Sequence, residues 1–400
     1  MKKYNGTKLA CYIGYFVQAI LINLSPLLFV IYNDKFGLSY LDLSWLISIA
    51  FLSQLVVDII AINVVDKVGY RASLVTSHIF SFVGLVLLGV LPSVMDNTFI
   101  ALVIATVIAS SGSGLIEVLI NPVMESIPSD SKEGNLSFLH SFYSWGQVVV
   151  IIFTTLLLRI IGADIWFVIP ILWSIIPLIN LFNFIRVPLV KKTEEQMAFK
   201  TSNLFASKFF YFAILLMICA GASEMIISQW SSLFVERSLY VPKVVGDLLG
   251  PCIFATSMGI GRMTHILVAK KINTKKVLGI YAGSAVIGYL LISLSQHSIL
   301  TMFGFAVCGL SVSVFWPGVI SLTSNVYSSG NTAMYAVLAL AGDIGCMIGP
   351  YFAGLVTTIV EDASHIDIEP LRIGILSGII FPLIMVVGII VSSKIIVKKK

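Results

Sequence analysis

Four acidic side chains sit inside long apolar stretches of this chain: Asp58, Glu117, Glu224 and Asp343. Glu117 is the sharpest case, as the only charge in the 27 residues from Thr98 to Met124. A stretch of about 20 apolar residues crosses a bilayer, and an acid at that depth faces a protein interior or a water-filled cavity rather than lipid. No lysine lies deep in an apolar stretch, and Arg262 is the one arginine near one, so the four acids are expected to lack cationic partners. A desolvated carboxylate without a cation is disfavoured as an anion. It suits a proton carrier, loaded in one state and emptied when the site hydrates.

Glu117 has company at its own depth. Asn121 follows four residues on, so both side chains leave one helical face, and Pro122 interrupts the backbone ladder there. His140, on the next apolar stretch, lies about 9–12 Å from the same membrane edge by the helical rise, as Glu117 does. Glu117 and His140 therefore read as a pair able to share a proton. In the second half, Gly221-Ala222-Ser223-Glu224 is followed by Gln229 and Trp230. Polar groups beside an aromatic ring suit a sugar, whose hydroxyls need hydrogen bonds and whose C–H face stacks on the ring. Gln18, Asn23, Asn121, Tyr143, Gln229, Trp230 and Trp316 are the candidate solute contacts. Glu117, Glu224 and His140 are the candidate proton-coupling groups.

These residues require a scaffold built in lipid. The chain is 58% hydrophobic and 11% charged, against about 25% charged in soluble domains. Backbone groups in lipid must pair internally, which leaves helices or a closed barrel. The apolar runs are far longer than the roughly ten-residue alternating segments of a barrel. An all-α membrane protein follows, with twelve transmembrane helices expected at 8–32, 41–65, 72–92, 98–124, 135–158, 165–187, 206–234, 246–269, 277–294, 299–324, 333–360 and 370–393. The basic N-terminus ahead of the first run reads as part of an uncleaved first helix. The longest polar connection divides the chain into bundles at 1–187 and 209–400, with a central loop at 188–208. The glycines of Gly112-Ser113-Gly114 and Gly345-x-x-x-Gly349 read as places where helices approach closely.

Orientation comes from Lys and Arg. With the N-terminus inside, 20 of the 25 basic residues collect on the inner side, which predicts cytoplasmic termini in a plasma membrane. The net charge of +5 is this bias, and no nucleic-acid partner is implied. Cys11, Cys219, Cys252, Cys308 and Cys346 lie in apolar runs without metal-ligand spacing, so neither a metal nor a cofactor is expected. A monomer surrounded by lipid bilayer is expected.

Six helices plus six, a central loop and the pattern Asp66-Lys67-x-Gly69-x-Arg71 between the second and third helices resemble the major facilitator superfamily. The resemblance implies two bundles rocking about a midplane site, with Asp66, Lys67 and Arg71 in an inner charge latch. It also implies that Asp343 on the eleventh helix faces the second, so Asp58, Asp343 and Arg262 join the candidate gating groups. Glu117-x-x-x-Asn121-Pro122, with Leu139-His140-Ser141-Phe142-Tyr143 and Gly146, is similar to the fucose–proton symporter branch. That likeness implies proton-coupled symport of a small polar solute, a sugar in the first instance.

An exporter of drugs or metabolites is the alternative. The superfamily's drug–proton antiporters carry a Gly-Pro motif on the fifth helix, which this chain lacks. No phosphate-binding loop, zinc spacing or nucleophile elbow is present, which argues against ATP-driven pumping and enzymatic hydrolysis. A solute sensor would share the same cavity and differ only in lacking flux.

Overall fold

The computed structural model describes residues 2–128, 132–189, 207–268, 274–324, 332–363 and 368–397. Two compact units emerge, Met1–Glu194 and Glu195–Lys400. The first holds α1 (Asn5–Phe36), α2 (Tyr40–Val68), α3 (Tyr70–Val94), α4 (Thr98–Ser126), α5 (Lys132–Ile161) and α6 (Val168–Arg186). The second holds α7 (Lys208–Leu239), α8 (Lys243–Leu249), α9 (Pro251–Val268), α10 (Thr274–Leu294), α11 (Ser298–Val312), α12 (Phe315–Ser324), α13 (Thr332–Asp362), α14 (Pro370–Ser377) and α15 (Ile380–Val397). Among the described residues, twelve segments are long and apolar enough to span a membrane.

Three spans expected as continuous helices are broken, all in the second unit. The eighth divides at Gly250 into α8 and α9, the tenth at Ser313-Val314 into α11 and α12, and the twelfth at Gly378-Ile379 into α14 and α15. Pro251 and Pro317 lie just past two of the breaks and cannot donate a backbone N–H to the preceding turn. Broken helices within a bundle place irregular backbone where it lines a cavity. The tenth-span break falls directly beside Trp316.

In each unit one helix is enclosed by the others. α1 and α7 are buried along nearly three quarters of their apolar length. On them, polar residues such as Gln18, Asn23, Glu224 and Gln229 are 3–4% exposed. Around α1, Tyr15, Ile116, Ile120, Leu139 and Phe184 form one apolar cluster with residues of α2 and α3. The sharp junction of α2 and α3 is made by Gly69 alone, at φ +91° and ψ 149°. A side chain rarely adopts that conformation.

The second unit is tied together by close backbone approach. A Cβ on Gly345 of α13 would lie 2.0 Å from the Ile218 carbonyl oxygen of α7, and one on Gly221 of α7 would lie 2.2 Å from the Gly342 carbonyl. Packing between small residues is what holds helices together in lipid. Gly345→Ala is therefore expected to destabilise the purified protein by about 1–3 kcal/mol through overpacking. Gly283→Ala, where a Cβ meets nothing within 4 Å, should leave the melting temperature unchanged or slightly raised. Equal effects of the two would contradict this account of the α7–α13 contact.

Candidate functional site

In the first unit, Glu117 is the centre of a polar cluster reaching three helices. Its Oε2 accepts one hydrogen bond from Gln18 Nε2 of α1 at 2.7 Å and another from Gln54 Nε2 of α2 at 2.6 Å. Both are amide donors aimed at a single carboxylate oxygen, and Glu117 itself is half-buried. Asn121, one turn further along α4, accepts from Tyr15 Oη at 2.8 Å, and its Nδ2 donates to the Glu117 carbonyl at 3.4 Å. The expected alignment of Glu117 with Asn121 is present, and α1 supplies the groups that join them.

His140 is exposed on α5. Its ring packs edge-on against Tyr15, with centroids 5.2 Å apart, so Tyr15 stands between His140 and the Asn121 end of the cluster. The side-chain bonds to Glu117 come from the two glutamines, and the expected Glu117–His140 pair is replaced by a chain through Tyr15 and Asn121. Around it, Tyr12 stacks on Phe142 with centroids 4.6 Å apart and planes 7° apart. Asn23 turns back to the Ala19 carbonyl at 2.9 Å and meets the Tyr143 hydroxyl at 3.5 Å. Gln18, Asn23, Asn121 and Tyr143 thus gather on the α1–α4–α5 side of this bundle.

Asp58 lies one helical turn beyond Gln54 on α2, 7% exposed. A Cβ on Gly114 of α4 would come within 2.8 Å of its Oδ1 and 2.9 Å of the Gln54 carbonyl. Gly114 precedes Glu117 by one turn, so Asp58 belongs to the same cluster within this bundle.

In the second unit the expectation that the intramembrane acids lack cations fails at Glu224. Arg262 of α9 reaches it, Nη2 to Oε1 at 3.2 Å. Arg262 lies near the end of its span, but its long side chain carries the guanidinium back to α7. The second carboxylate oxygen, Oε2, is buried without a hydrogen-bond partner, and so is the Trp316 Nε1–H. The Trp316 indole is directed towards this carboxylate and packs flush on Gly342. On the other side, Tyr289 donates to the Ser223 carbonyl at 2.8 Å and fixes the α7 backbone at this turn.

Trp230 requires a correction. It is fully buried, and its indole N–H donates to the Pro350 carbonyl at 3.0 Å. It locks α7 to α13 at Pro350 and offers no face to a solute. Gln229 is buried next to Met225. Asp343 is buried on α13.

Of the expected latch, Arg71 caps a helix inside its own unit. It donates to the carbonyls of Phe184, Ile185 and Val187 at 2.8, 2.5 and 2.8 Å, at the C-terminal end of α6, where a cation is favoured. Lys67 is exposed, and the side chain of Asp66 lies outside the described residues.

Two buried polar knots have no counterpart in the expectations. His78 of α3 meets Asn180 of α6 at 2.9 Å, and Asn180 also donates to the Ala10 carbonyl of α1. Asp247 is fully buried and pairs with Lys243 at 3.2 Å, with Ser232 of α7 donating to it as well. His78 and Asn180 are strongly polar side chains within apolar spans, which is the signal that could have found them. Asp247 reads as a helix-end acid, because its burial depends on the break at Gly250. Among the described residues no group of three or more His, Cys, Asp or Glu is placed to hold a metal.

The model of the Major Facilitator Superfamily matches residues 11–350. No curated protein matches the chain. Among solved structures, a D-xylose–proton symporter superimposes with a TM-score of 0.80 at 15% identity, covering 97% of each chain. A nucleoside transporter gives 0.76 at 14% identity, over 98% of this chain and 99% of its own. The fucose:proton symporter of E. coli gives 0.65 at 16% identity, over 97% of this chain and 98% of its own. At these identities the likeness establishes the twelve-helix fold.

Proposed function

Because the chain belongs to the major facilitator superfamily, it is a multi-pass membrane transporter rather than an enzyme, and we propose that it carries a small, neutral, hydroxyl-rich solute together with protons. The observation that carries the solute class is the pair of unpartnered atoms in the second unit. Glu224 Oε2 accepts and Trp316 Nε1–H donates, and the two face one another without closing a direct hydrogen bond. A hydroxyl both donates and accepts, so one hydroxyl can satisfy both atoms. A cation satisfies only the carboxylate, and an anion only the indole. Arg262 already balances the charge of Glu224, so the site asks for no charge from its solute. A sugar meets these conditions, as does the ribose of a nucleoside.

We assign proton coupling to the first unit. There the Glu117 cluster has amides and phenols around its carboxylates, and its hydrogen bonds come from uncharged groups. Glu224, with its guanidinium partner, is assigned to the solute. The Lys and Arg bias supports cytoplasmic termini in the plasma membrane, and transport by rocking of the two bundles about the site follows from the family plan. Drug export finds less support, since the two unpartnered atoms are polar.

The test is a thermal-shift screen of the purified protein against monosaccharides, nucleosides, amino acids and lipophilic cations. A ligand that binds the folded state raises the melting temperature in proportion to the logarithm of its excess over Kd. A monosaccharide or nucleoside is expected to give the largest shift. Stabilisation confined to lipophilic cations would overturn the reading in favour of drug export.

A further inference from the structure

We propose that the transported proton rests on Asp58, with Glu117 as its charged partner and its route in and out. The inference depends on the assignment of the first unit to proton coupling and names the atom that holds the proton. The two carboxylates share one site, bridged by Gln54, whose amide bonds Glu117 and whose backbone lies one turn from Asp58. Their surroundings differ sharply. Glu117 Oε2 accepts two amide N–H groups, an arrangement that favours the ionised form. Asp58 Oδ1 is buried without any hydrogen-bond partner, in a residue 7% exposed. A charge there would be desolvated, unbonded and beside a second negative charge. Two carboxylates gathered in one apolar site can hold a proton between them, and the one denied donors is the one to keep it.

Each helix packed on α2 is consistent with this division. From α4 the facing titratable group is Glu117. From α1 come Gln18, which is neutral, and Tyr15, which donates to Asn121. From α3, His78 is engaged with Asn180 and the Leu74 carbonyl, and Arg71 is committed to the end of α6. On α2 itself, Lys67 lies more than two turns from Asp58 and is exposed. No described cation is placed to neutralise the pair. Gly114 is what permits the arrangement, since any Cβ there would press on Asp58 Oδ1. On release, the Asp58 O–H bond breaks, its proton passes by way of half-buried Glu117 to water, and a carboxylate stays behind. Uptake is the reverse.

Infrared difference spectroscopy on the purified full-length protein at neutral pH reads protonated carboxyls directly. Asp58→Asn, nearly isosteric, is expected to lose one carboxylic-acid equivalent per chain. Glu117→Gln should keep that band with a shifted frequency. Gln54→Met removes one donor from Glu117 without touching Asp58, and should move part of the band to a second frequency as Glu117 competes for the proton. It serves as an independent check should Asp58→Asn not fold. A band lost in Glu117→Gln but kept in Asp58→Asn would overturn the proposal and leave proton coupling by this unit standing. A band unchanged in all three variants would overturn both.

Discussion

Glu117→Gln is expected to abolish solute accumulation driven by a pH gradient in proteoliposomes, bringing the internal-to-external ratio of the stabilising sugar to unity. Exchange of labelled for unlabelled solute should persist. The amide keeps the volume of the side chain and can still meet Gln18 and Gln54, so the bundle holds its shape. What disappears is the negative charge that makes the carboxylate pair able to bind and release a proton. The solute contacts proposed for the second unit are untouched, so downhill movement should continue while uphill movement stops. The check is the pair of assays run side by side on one preparation. A mutant that still concentrates the solute would remove Glu117 from coupling, and a mutant that loses exchange as well would place it in solute binding.

The two tryptophans should separate equally cleanly. Trp316→Phe removes the indole N–H together with the far edge of the ring that packs on Gly342, so a small fall in melting temperature is expected. Solute affinity should fall by roughly three- to tenfold, the worth of one hydrogen bond of about 0.5–1.5 kcal/mol. Trp230→Phe instead removes the indole that ties α7 to the Pro350 carbonyl at 3.0 Å. Losing one buried hydrogen bond costs about 0.5–1.5 kcal/mol, and the void left by the smaller ring adds to it, so stability should drop while affinity in the folded fraction is retained. Affinity titrations and thermal melts on the two variants check this. The opposite pattern would restore Trp230 to the solute site and exclude Trp316.

The architecture was legible in the sequence because lipid imposes it. Long apolar runs without charge admit little besides spanning helices, and the basic residues punctuate them. The acids were legible for the same reason, since a lone Glu117 among 27 residues is costly wherever it sits. Partners were less so. Arg262 was visible as a residue but not as the counter-ion of Glu224, because the reach of its side chain across to α7 depends on packing. Asp58 read as a gating candidate, and it is the glycine at 114 that lets it come against α4. The breaks in the second bundle had a local signal in Pro251 and Pro317, overruled in the reading by the continuity of the apolar pattern. Trp230 and Trp316 look alike in sequence. Their difference lies in the Pro350 carbonyl, which the Trp230 indole meets and the Trp316 indole does not, and that is a tertiary fact.

The central claim, that solute and proton move together in one direction, is tested most directly by recording external pH in a weakly buffered suspension of proteoliposomes. The stabilising sugar is added outside, with no gradient of pH or potential imposed. Symport predicts alkalinisation of the medium as protons follow the solute inward, absent in Glu117→Gln vesicles. Acidification on solute addition would mean antiport, and solute entry without any pH change would contradict proton coupling altogether.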